Sequence, residues 1–295
     1  MRTHRYDTPG PVDLQVTIKS GRVHVETWDG ADTVVDLDSS DDALVEEVNV
    51  DCEPFGDGYR VVVRVPRMED RNFLRIFSRS SLDVHVHVPH QARAEVTTAS
   101  GDVRLNGSYR EVQASTASGD VEVDDVTGLA SIATASGDIS VHSVAGRTDI
   151  RAASADVHCG RMEGGGEVKT ASGDVRIDAA AERIAVTTGS GDISVGESDS
   201  CKLRSASGDL SLSAIREGVA DLKTASGDID VAVVTGAVVA VDAESVSGDL
   251  TSEIELSLSE PSTAGGDETD REIELILRTV NGDIQVRRTR ARAGS

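Results

Sequence analysis

The sequence predicts an all-β fold, a β-solenoid of about ten stacked copies of an 18-residue unit. Three observations predict it. The tripeptide Ser-Gly-Asp recurs at regular spacing, apolar residues alternate with polar ones beside it, and aromatic residues make up only 2% of the 295 residues. A conventional globular core of this size uses more large aromatic side chains. We therefore expect a thin core, filled in layers by small and β-branched residues.

The Ser-Gly-Asp tripeptide sets the period of the repeat. Full copies begin at Ser100, Ser118, Ser136, Ser172, Ser190, Ser207, Ser226 and Ser247, and degenerate copies occupy 154–156 and 281–283. The last copy follows 34 residues after the preceding one. Glycine adopts a positive φ cheaply, and Ser and Asp can hydrogen-bond exposed turn amides, so each copy predicts a corner of a coil. The predicted structural corners are Gly101, Asp102, Gly119, Asp120, Gly137, Asp138, Gly173, Asp174, Gly191, Asp192, Gly208, Asp209, Gly227, Asp228, Gly248 and Asp249.

Apolar residues occupy the first and third positions after each corner, as in Val121 and Val123 or Ile139 and Val141. This alternation predicts short strands with one buried face. The repeat has no helical segment long enough for a βαβ unit, so each strand is expected to pair in parallel with its equivalent one repeat away. Six threonines stand two residues before a corner serine and are interpreted as a structural hydroxyl ladder: Thr98, Thr116, Thr134, Thr170, Thr188 and Thr224.

The flanking segments depart from the strict repeat. Residues 1–95 are predicted to form an irregular β capping region with the first coils, in which Ser20-Gly21-Arg22 is a worn copy of the corner and residues 41–48 add a short helix. Residues 96–286 form the solenoid, interrupted by an acidic loop at 259–272. Residues 287–295 form a basic, disordered tail.

One segment breaks the acidic character of the chain, since six arginines lie between residues 60 and 79. The candidate interaction surface consists of Arg64, Arg67, Arg71, Phe73, Arg75 and Phe77. It can be a docking loop or a short amphipathic helix that binds a partner or a second copy. The favoured alternative is a loop packed over the end of the core, with its arginines paired to acidic neighbours.

Charge and composition exclude several classes of partner. The net charge of −23 repels nucleic-acid backbones and anionic lipid, and no stretch is apolar enough to span a membrane. No secretory signal is visible at the amino terminus, so a cytoplasmic location is expected. Cys159 and Cys201 stand at apolar positions of the repeat and are predicted to be buried thiols.

Two groups of residues raise the question of metal binding. One corner aspartate per 18 residues supplies too few oxygen ligands for a calcium array, so capping of the turn is favoured over Ca²⁺ binding. His85, His87 and His90 form a histidine cluster in which 85 and 87 share one strand face, a possible two-point metal site. No cysteine or further histidine accompanies them in the sequence, which favours solvent-facing strand histidines. We therefore expect neither a metal nor a cofactor.

The sequence carries no motif of catalysis. It lacks a G-x-S-x-G elbow, a P-loop and a dinucleotide fingerprint, and no Ser/His/Asp grouping is evident. The coils are too uniform for the irregular acidic clefts of β-helix enzymes. The sequence therefore predicts no catalytic residues and no enzyme.

The run Val84-His85-Val86-His87-Val88-Pro89, followed by Val96-Thr97-Thr98-Ala99-Ser100-Gly101-Asp102-Val103, resembles the bacterial β-strand-repeat family labelled "putative adhesin". That family is a domain of unknown function related to auto-transporter-adhesin-like head domains. The resemblance covers about residues 10–290. It implies a single-stranded parallel β-helix, right-handed, with no established activity.

Fold and composition together predict a non-enzymatic structural or interaction scaffold that can self-associate through the strand edges at its ends. Its partner is then a protein or a second copy. Two alternatives stay open: an adhesin-like or envelope-associated ligand-binding module, and a cation-binding β-roll.

Overall fold

The protein is described by a computed structural model for residues 1–66, 81–254 and 272–290. It comprises two compact units, Met1–Asp156 and Val157–Ser295. Each unit is a parallel β-solenoid in which a regular coil contributes two strands, one on each side of a narrow apolar core. The predicted fold is confirmed.

The first unit contains thirteen strands and one helix among its described residues. These are β1 (Arg2–Asp7), β2 (Val12–Thr17), β3 (Ser20–Trp28), β4 (Asp32–Asp38), α1 (Asp42–Glu47), β5 (Asn49–Phe55), β6 (Gly58–Arg64), β7 (Leu82–Pro89), β8 (Ala92–Thr97), β9 (Ser100–Ser118), β10 (Val121–Val126), β11 (Ala130–Ser136), β12 (Ile139–Val144) and β13 (Thr148–Ser154).

The second unit likewise contains thirteen strands in its described part. These are β14 (Val157–Met162), β15 (Gly166–Ser172), β16 (Val175–Ala180), β17 (Ile184–Ser190), β18 (Ile193–Ser198), β19 (Cys201–Ser207), β20 (Leu210–Ile215), β21 (Gly218–Lys223), β22 (Ile229–Val234), β23 (Val238–Ser247), β24 (Leu250–Ser252), β25 (Glu272–Asn281) and β26 (Ile284–Thr289).

The coil formed by β16 and β17 shows why the repeat folds as it does. Val175 and Ile177 on β16 and Ile184 and Val186 on β17 are buried, and the residues between them face outward. β16 pairs in parallel with β18, and β17 with β19, so each buried residue lies beside its equivalent in the next coil. Such layers leave little room for large side chains, which accounts for the scarcity of aromatic residues.

Glycine is required at the corner that follows this coil, whereas the corner at 154–156 has Ala155 in the same position. Gly191 has φ of 134°, and a Cβ atom there would lie 2.2 Å from the carbonyl oxygen of Gly173 in the neighbouring coil. Both the backbone conformation and the close approach of the two chains therefore exclude a larger residue.

The coils do not stack in sequence order at the amino-terminal end of the first unit. The coil of β2 and β3 lies between two others: β2 pairs with β6 and β8, and β3 pairs with β7 and β9. Gly21 lies opposite Gly101, which confirms that Ser20-Gly21-Arg22 is a copy of the corner. The prediction that each strand pairs with its equivalent one repeat away is wrong here. β4, α1 and β5 intervene between β3 and β6, and the chain places its second coil on the far side of the first.

Antiparallel strands and the helix cover this end of the first unit. β4 pairs antiparallel with β7, β1 pairs antiparallel with β4, and β5 pairs antiparallel with β6. The predicted helix is confirmed as α1, whose first turn is capped by the Asp41 carboxylate accepting from the amide of Ala43 at 3.1 Å. Leu44 and Val45 of α1 are buried.

A second departure from sequence order occurs at the carboxyl-terminal end of the second unit. β25 pairs with both β21 and β23, and β26 pairs with both β22 and β24. The last coil in sequence is therefore the penultimate coil in space, which explains the 34-residue gap before the final corner. β26 continues through Thr289, so Arg287 and Arg288 belong to a strand and not to a disordered tail.

The acidic loop predicted at 259–272 lies outside the described residues, apart from Glu272 at the start of β25. None of the helical structure in the described ranges is long and apolar enough to cross a membrane.

Candidate functional site

The corner aspartates form hydrogen-bonded ladders within each unit. In the first unit the side chains of Asp102, Asp120 and Asp138 each accept from the backbone amide of the next corner aspartate, at 2.9–3.2 Å. In the second unit the same bond, 2.8 Å long, links Asp174, Asp192, Asp209, Asp228, Asp283 and Asp249 in that spatial order. The amides offset the repulsion between stacked carboxylates, so each aspartate has a structural role at its corner.

The threonines beside the corners are buried, but most of their resolved hydrogen bonds stay within one coil. Thr134, Thr170 and Thr188 each donate to the carbonyl oxygen of the serine two residues later, at 2.9–3.1 Å. Thr224 does the same and also donates across to the carbonyl oxygen of Gly208 in the neighbouring coil. Thr188 and Thr279 also donate to glycine carbonyl oxygens of the neighbouring coil, so these hydroxyls both close the corner within a coil and link successive coils, as the predicted ladder requires.

The predicted arginine-rich interaction surface falls mostly outside the described residues. Arg64 ends β6 and is exposed, whereas Arg67, Arg71, Phe73, Arg75 and Phe77 all lie in the part of the chain that is not described. Arg60, from the same segment, donates to Asp13 at 3.0 Å and stacks over the ring of Phe55. Arg60 is thus paired with an acidic neighbour, as the interpretation of this segment as a loop packed over the core predicts.

The last coil in space, formed by β23 and β24, leaves one face of the stack open. Among the described strands, β23 pairs only with β25 and β24 only with β26. Leu250 occupies the first apolar position after its corner, yet 56% of it is exposed. Val246, beside the same corner, is 74% exposed. Leu250 and Val246 are thus accessible beside two strand edges that no other described strand pairs with.

A cluster of three histidines and two carboxylates lies on the outer face of the first unit. The parallel register of β3 and β7 sets His24 beside His85 and Glu26 beside His87, and antiparallel β4 sets Asp36 beside His85. The imidazole rings of His24 and His85 stack with centroids 4.7 Å apart, and those of His85 and His87 are 4.5 Å apart. We call these five residues the histidine cluster.

The carboxylate of Glu26 approaches all three imidazoles of the histidine cluster. Its oxygens lie 3.1 Å from Nε2 of His24, 3.3 Å from Nε2 of His87 and 3.9 Å from Nε2 of His85. Nε2 of His24 also lies 2.7 Å from Oδ1 of Asn106 on β9. Imidazole nitrogens and carboxylate oxygens thus converge on one small region of the surface.

Buried groups hold this surface in place. Tyr109 of β9 is fully buried and donates its hydroxyl to the carbonyl oxygen of Val25, the residue between His24 and Glu26, at 2.8 Å. Burial raises the pKa of Tyr109, which keeps the phenol protonated and donating. Partial burial, followed by the neighbouring His87 and His24, lowers the pKa of His85. A neutral imidazole is the form that binds metals.

Only part of the histidine cluster was predicted from the sequence. The strand pattern put His85 and His87 on one strand face, as found, but His90 lies apart and pairs with Asp29 at 3.2 Å. The expectation that no further histidine accompanies the pair is wrong, because β3 supplies His24. A signal was available, since Val23-His24-Val25 on β3 repeats the Val-His-Val pattern of residues 84–86 on β7.

Three of the solved structures that match this chain have very different sequences. The crystal structure of a putative adhesin from Parabacteroides distasonis ATCC 8503 is 11% identical, covers 97% of this chain and 96% of its own, and superposes with a TM-score of 0.50. A putative adhesin from Bacteroides fragilis NCTC 9343 is 12% identical over 97% of this chain and 96% of its own, with a TM-score of 0.38. A putative lipid binding protein from Parabacteroides distasonis ATCC 8503 is 12% identical over 96% of both chains, with a TM-score of 0.36.

No curated protein matches the sequence. A family model, however, matches three overlapping segments, residues 13–162, 49–195 and 145–287, which together span nearly all of the described solenoid. The chain therefore belongs to the Toastrack family DUF4097, a family of unknown function.

Proposed function

We propose that this protein is a non-enzymatic, adhesin-like interaction module that binds a second copy of itself through the open edge of its last coil. The observation that carries the proposal is the exposure of β23 and β24, which pair on one side only among the described strands and carry accessible apolar side chains. The similar fold of a putative adhesin supports the general class of function.

The backbone of the last coil supports pairing with another strand. An unpaired edge presents a row of amides and carbonyls that a second strand can satisfy. β23 is ten residues long and contains no proline. A two-fold axis would set β23 antiparallel to the same strand of a second copy, which gives a closed, self-complementary dimer.

The side chains of the last coil support burial on association. Leu250 belongs to the core layer of its coil and is left uncovered, and Val239 and Val241 on β23 are only half-buried. Each aliphatic side chain that becomes buried contributes about 1.5–3 kcal/mol. An apolar layer at an open end therefore favours a second layer above it.

Charge works against this association and gives it a salt dependence. The net charge of −23 makes two copies repel each other. Locally, Arg278 pairs with Asp242 at 2.5 Å and with Glu244 at 3.3 Å, which offsets part of the negative charge of β23. Added salt screens the remaining repulsion, so association is expected to strengthen as ionic strength rises.

Analytical ultracentrifugation over a wide concentration range tests the proposal. We expect a monomer–dimer equilibrium that shifts toward dimer with concentration and salt. Leu250→Lys should leave the protein folded and shift it to monomer, because a charge would enter the contact. Leu129→Lys is the matched control, since Leu129 is an exposed leucine in the first unit, and it should associate like the unsubstituted protein.

Two outcomes would overturn the proposal. One is a concentration-independent monomer at every salt concentration. The other is a dimer that Leu250→Lys leaves intact or that Leu129→Lys abolishes, because the contact would then lie elsewhere.

A further inference from the structure

We propose that His24, Glu26, His85 and His87 bind one divalent transition-metal ion, with Zn²⁺ as the best match. The site is independent of the proposed association, because it lies on the outer face of the first unit and uses none of the residues of β23 or β24.

The strand register brings the donor atoms together. Parallel pairing of β3 with β7 fixes His24 opposite His85 and Glu26 opposite His87, and strand alternation keeps all four side chains on one face. The donors therefore come from two adjacent strands of a rigid sheet, whose positions are set by backbone hydrogen bonds. Such a site needs only rotamer adjustments to close around an ion.

The distances from Glu26 to two of the imidazole nitrogens fit a tetrahedral ion. Zn–N and Zn–O bonds of about 2.0–2.1 Å place the ligand atoms of a tetrahedron about 3.3 Å apart. Oxygens of Glu26 lie 3.1 Å and 3.3 Å from Nε2 of His24 and His87, and 3.9 Å from Nε2 of His85. The donor atoms of His24, Glu26 and His85 all lie within 4.8 Å of one another, and so do those of Asp36, His85 and His87. His85 belongs to both sets, so rotamer changes would bring the four ligands around one ion.

The donor types select the class of ion. Imidazole nitrogen and carboxylate oxygen suit Zn²⁺ and its neighbours in the first transition row, whereas Ca²⁺ takes 6–8 oxygen ligands. Asp36 has an oxygen within 4.8 Å of the ring nitrogens of both His85 and His87, and its negative charge adds to that of Glu26. The nearby cations are engaged elsewhere, because Arg22 pairs with Asp83 and Arg104 with Glu122.

One atom of the cluster lacks a partner that an ion would supply. Nε2 of His85 is shielded from solvent and makes no hydrogen bond, although shielded polar atoms are usually satisfied. Its nearest carboxylate oxygen, on Glu26, is at 3.9 Å, too far for a hydrogen bond. A metal ion between these two groups would satisfy both.

The site is open to solvent on one side. The side chains of His24, Glu26, His85 and His87 are 30–40% exposed, so an ion can reach them without any opening of the fold. Coordination through Nε2 of His24 would replace its hydrogen bond to Oδ1 of Asn106.

Isothermal titration of the full chain, freed of metals with a chelator, tests the proposal with Zn²⁺ as the probe. We expect one Zn²⁺ per chain, and visible absorption of tetrahedral type when Co²⁺ replaces it. His85→Gln and Glu26→Gln should each weaken Zn²⁺ binding at least about tenfold. His142→Gln removes an exposed histidine outside the cluster and should bind Zn²⁺ as tightly as the unsubstituted protein.

Three results would overturn the proposal. They are the absence of stoichiometric Zn²⁺ binding, binding that both cluster variants retain in full, and binding of Ca²⁺ as tight as that of Zn²⁺. Far-ultraviolet circular dichroism of each variant shows whether it is folded. Should His85→Gln fail to fold, Glu26→Gln carries the test, because this change keeps the size of the side chain and removes only its charge.

Discussion

The two terminal coils of the stacks differ in how they end. Val84 on β7 and Leu250 on β24 occupy the same position of the repeat, since they lie opposite Val23 and Ile284, the residues that follow the corners of the adjacent coils. Yet Val84 is 1% exposed and Leu250 is 56% exposed. The repeat itself therefore does not decide whether a terminal layer is buried. The segments outside the repeat decide it.

At the amino-terminal end those segments extend the sheets and shield their edges. β4 pairs antiparallel with β7, and β1 pairs antiparallel with β4. On the other side of the coil, β5 pairs antiparallel with β6. The outermost strands carry features that discourage further pairing: β1 has Arg2, Arg5 and Asp7, and β5 has Pro54. β23 at the other end begins with Val-Val-Ala-Val and has no described strand beyond it. Antiparallel strands thus cover the end coil of the first unit, whereas no described strand covers the coil of β23 and β24 in the second unit.

The largest expected loss of stability is at the corner glycines. It should be greater in a coil with neighbours on both sides than in the terminal coil. A Cβ atom at Gly21 or at Gly248 would lie 2.0 Å from a backbone carbonyl oxygen, that of Leu82 or of Gly282. Gly21→Ala should cost about 3 kcal/mol of unfolding free energy, because the coil is held on both sides. Gly248→Ala should cost about 1 kcal/mol, because the last coil can detach locally from its single neighbour. Urea unfolding measures both.

Gly56→Ala separates the cost of the positive φ from the cost of the steric clash with the neighbouring coil. Gly56 also has a positive φ, of 62°, but no atom lies within 4 Å of a Cβ added there. Its substitution should cost only the backbone term, about 1 kcal/mol. Equal losses for Gly21→Ala and Gly248→Ala would contradict the view that the last coil is loosely held.

The next largest loss of stability is expected on truncation of the two equivalent core residues, Val84 and Leu250. Val84→Ala should lower the unfolding free energy by about 2 kcal/mol, because it leaves a cavity in a closed layer. Leu250→Ala should lower it by less than about 1 kcal/mol although it removes more atoms, because most of the side chain is already in water. Thermal unfolding of the two variants side by side measures the difference. A larger loss for Leu250→Ala would mean that this layer is buried.

Much of the fold could be predicted from the sequence, since every regular coil repeats the same corner residues and the same alternation of apolar and polar positions. Gly191 must be glycine for both its φ and its contact with Gly173, and such requirements recur at an 18-residue spacing that is visible in the letters alone. Burial of Cys159 and Cys201 followed from their apolar positions, and burial raises the pKa of each thiol to about 12.

The order of the terminal coils could not be predicted in this way. All coils offer equivalent strand edges, so any coil can stack on any other. The sequence around Ile284 therefore does not predict that this residue pairs with both Ile229 and Leu250. The histidine cluster was missed for the same reason. His24 and His85 are far apart in the chain, and only the inserted coil order brings β3 beside β7. Local patterns predict a coil, but its neighbours depend on the connections between coils.

Hydrogen exchange followed by mass spectrometry at low and high protein concentration tests the central claim most directly. The amides of β23 and β24 should exchange rapidly in dilute protein and become protected as concentration rises, because a second copy then pairs with the open edge. Those of β4 and β7 should be protected equally at both concentrations. Protection of β23 and β24 that matches β7 in dilute protein, or that does not change with concentration, would contradict the account.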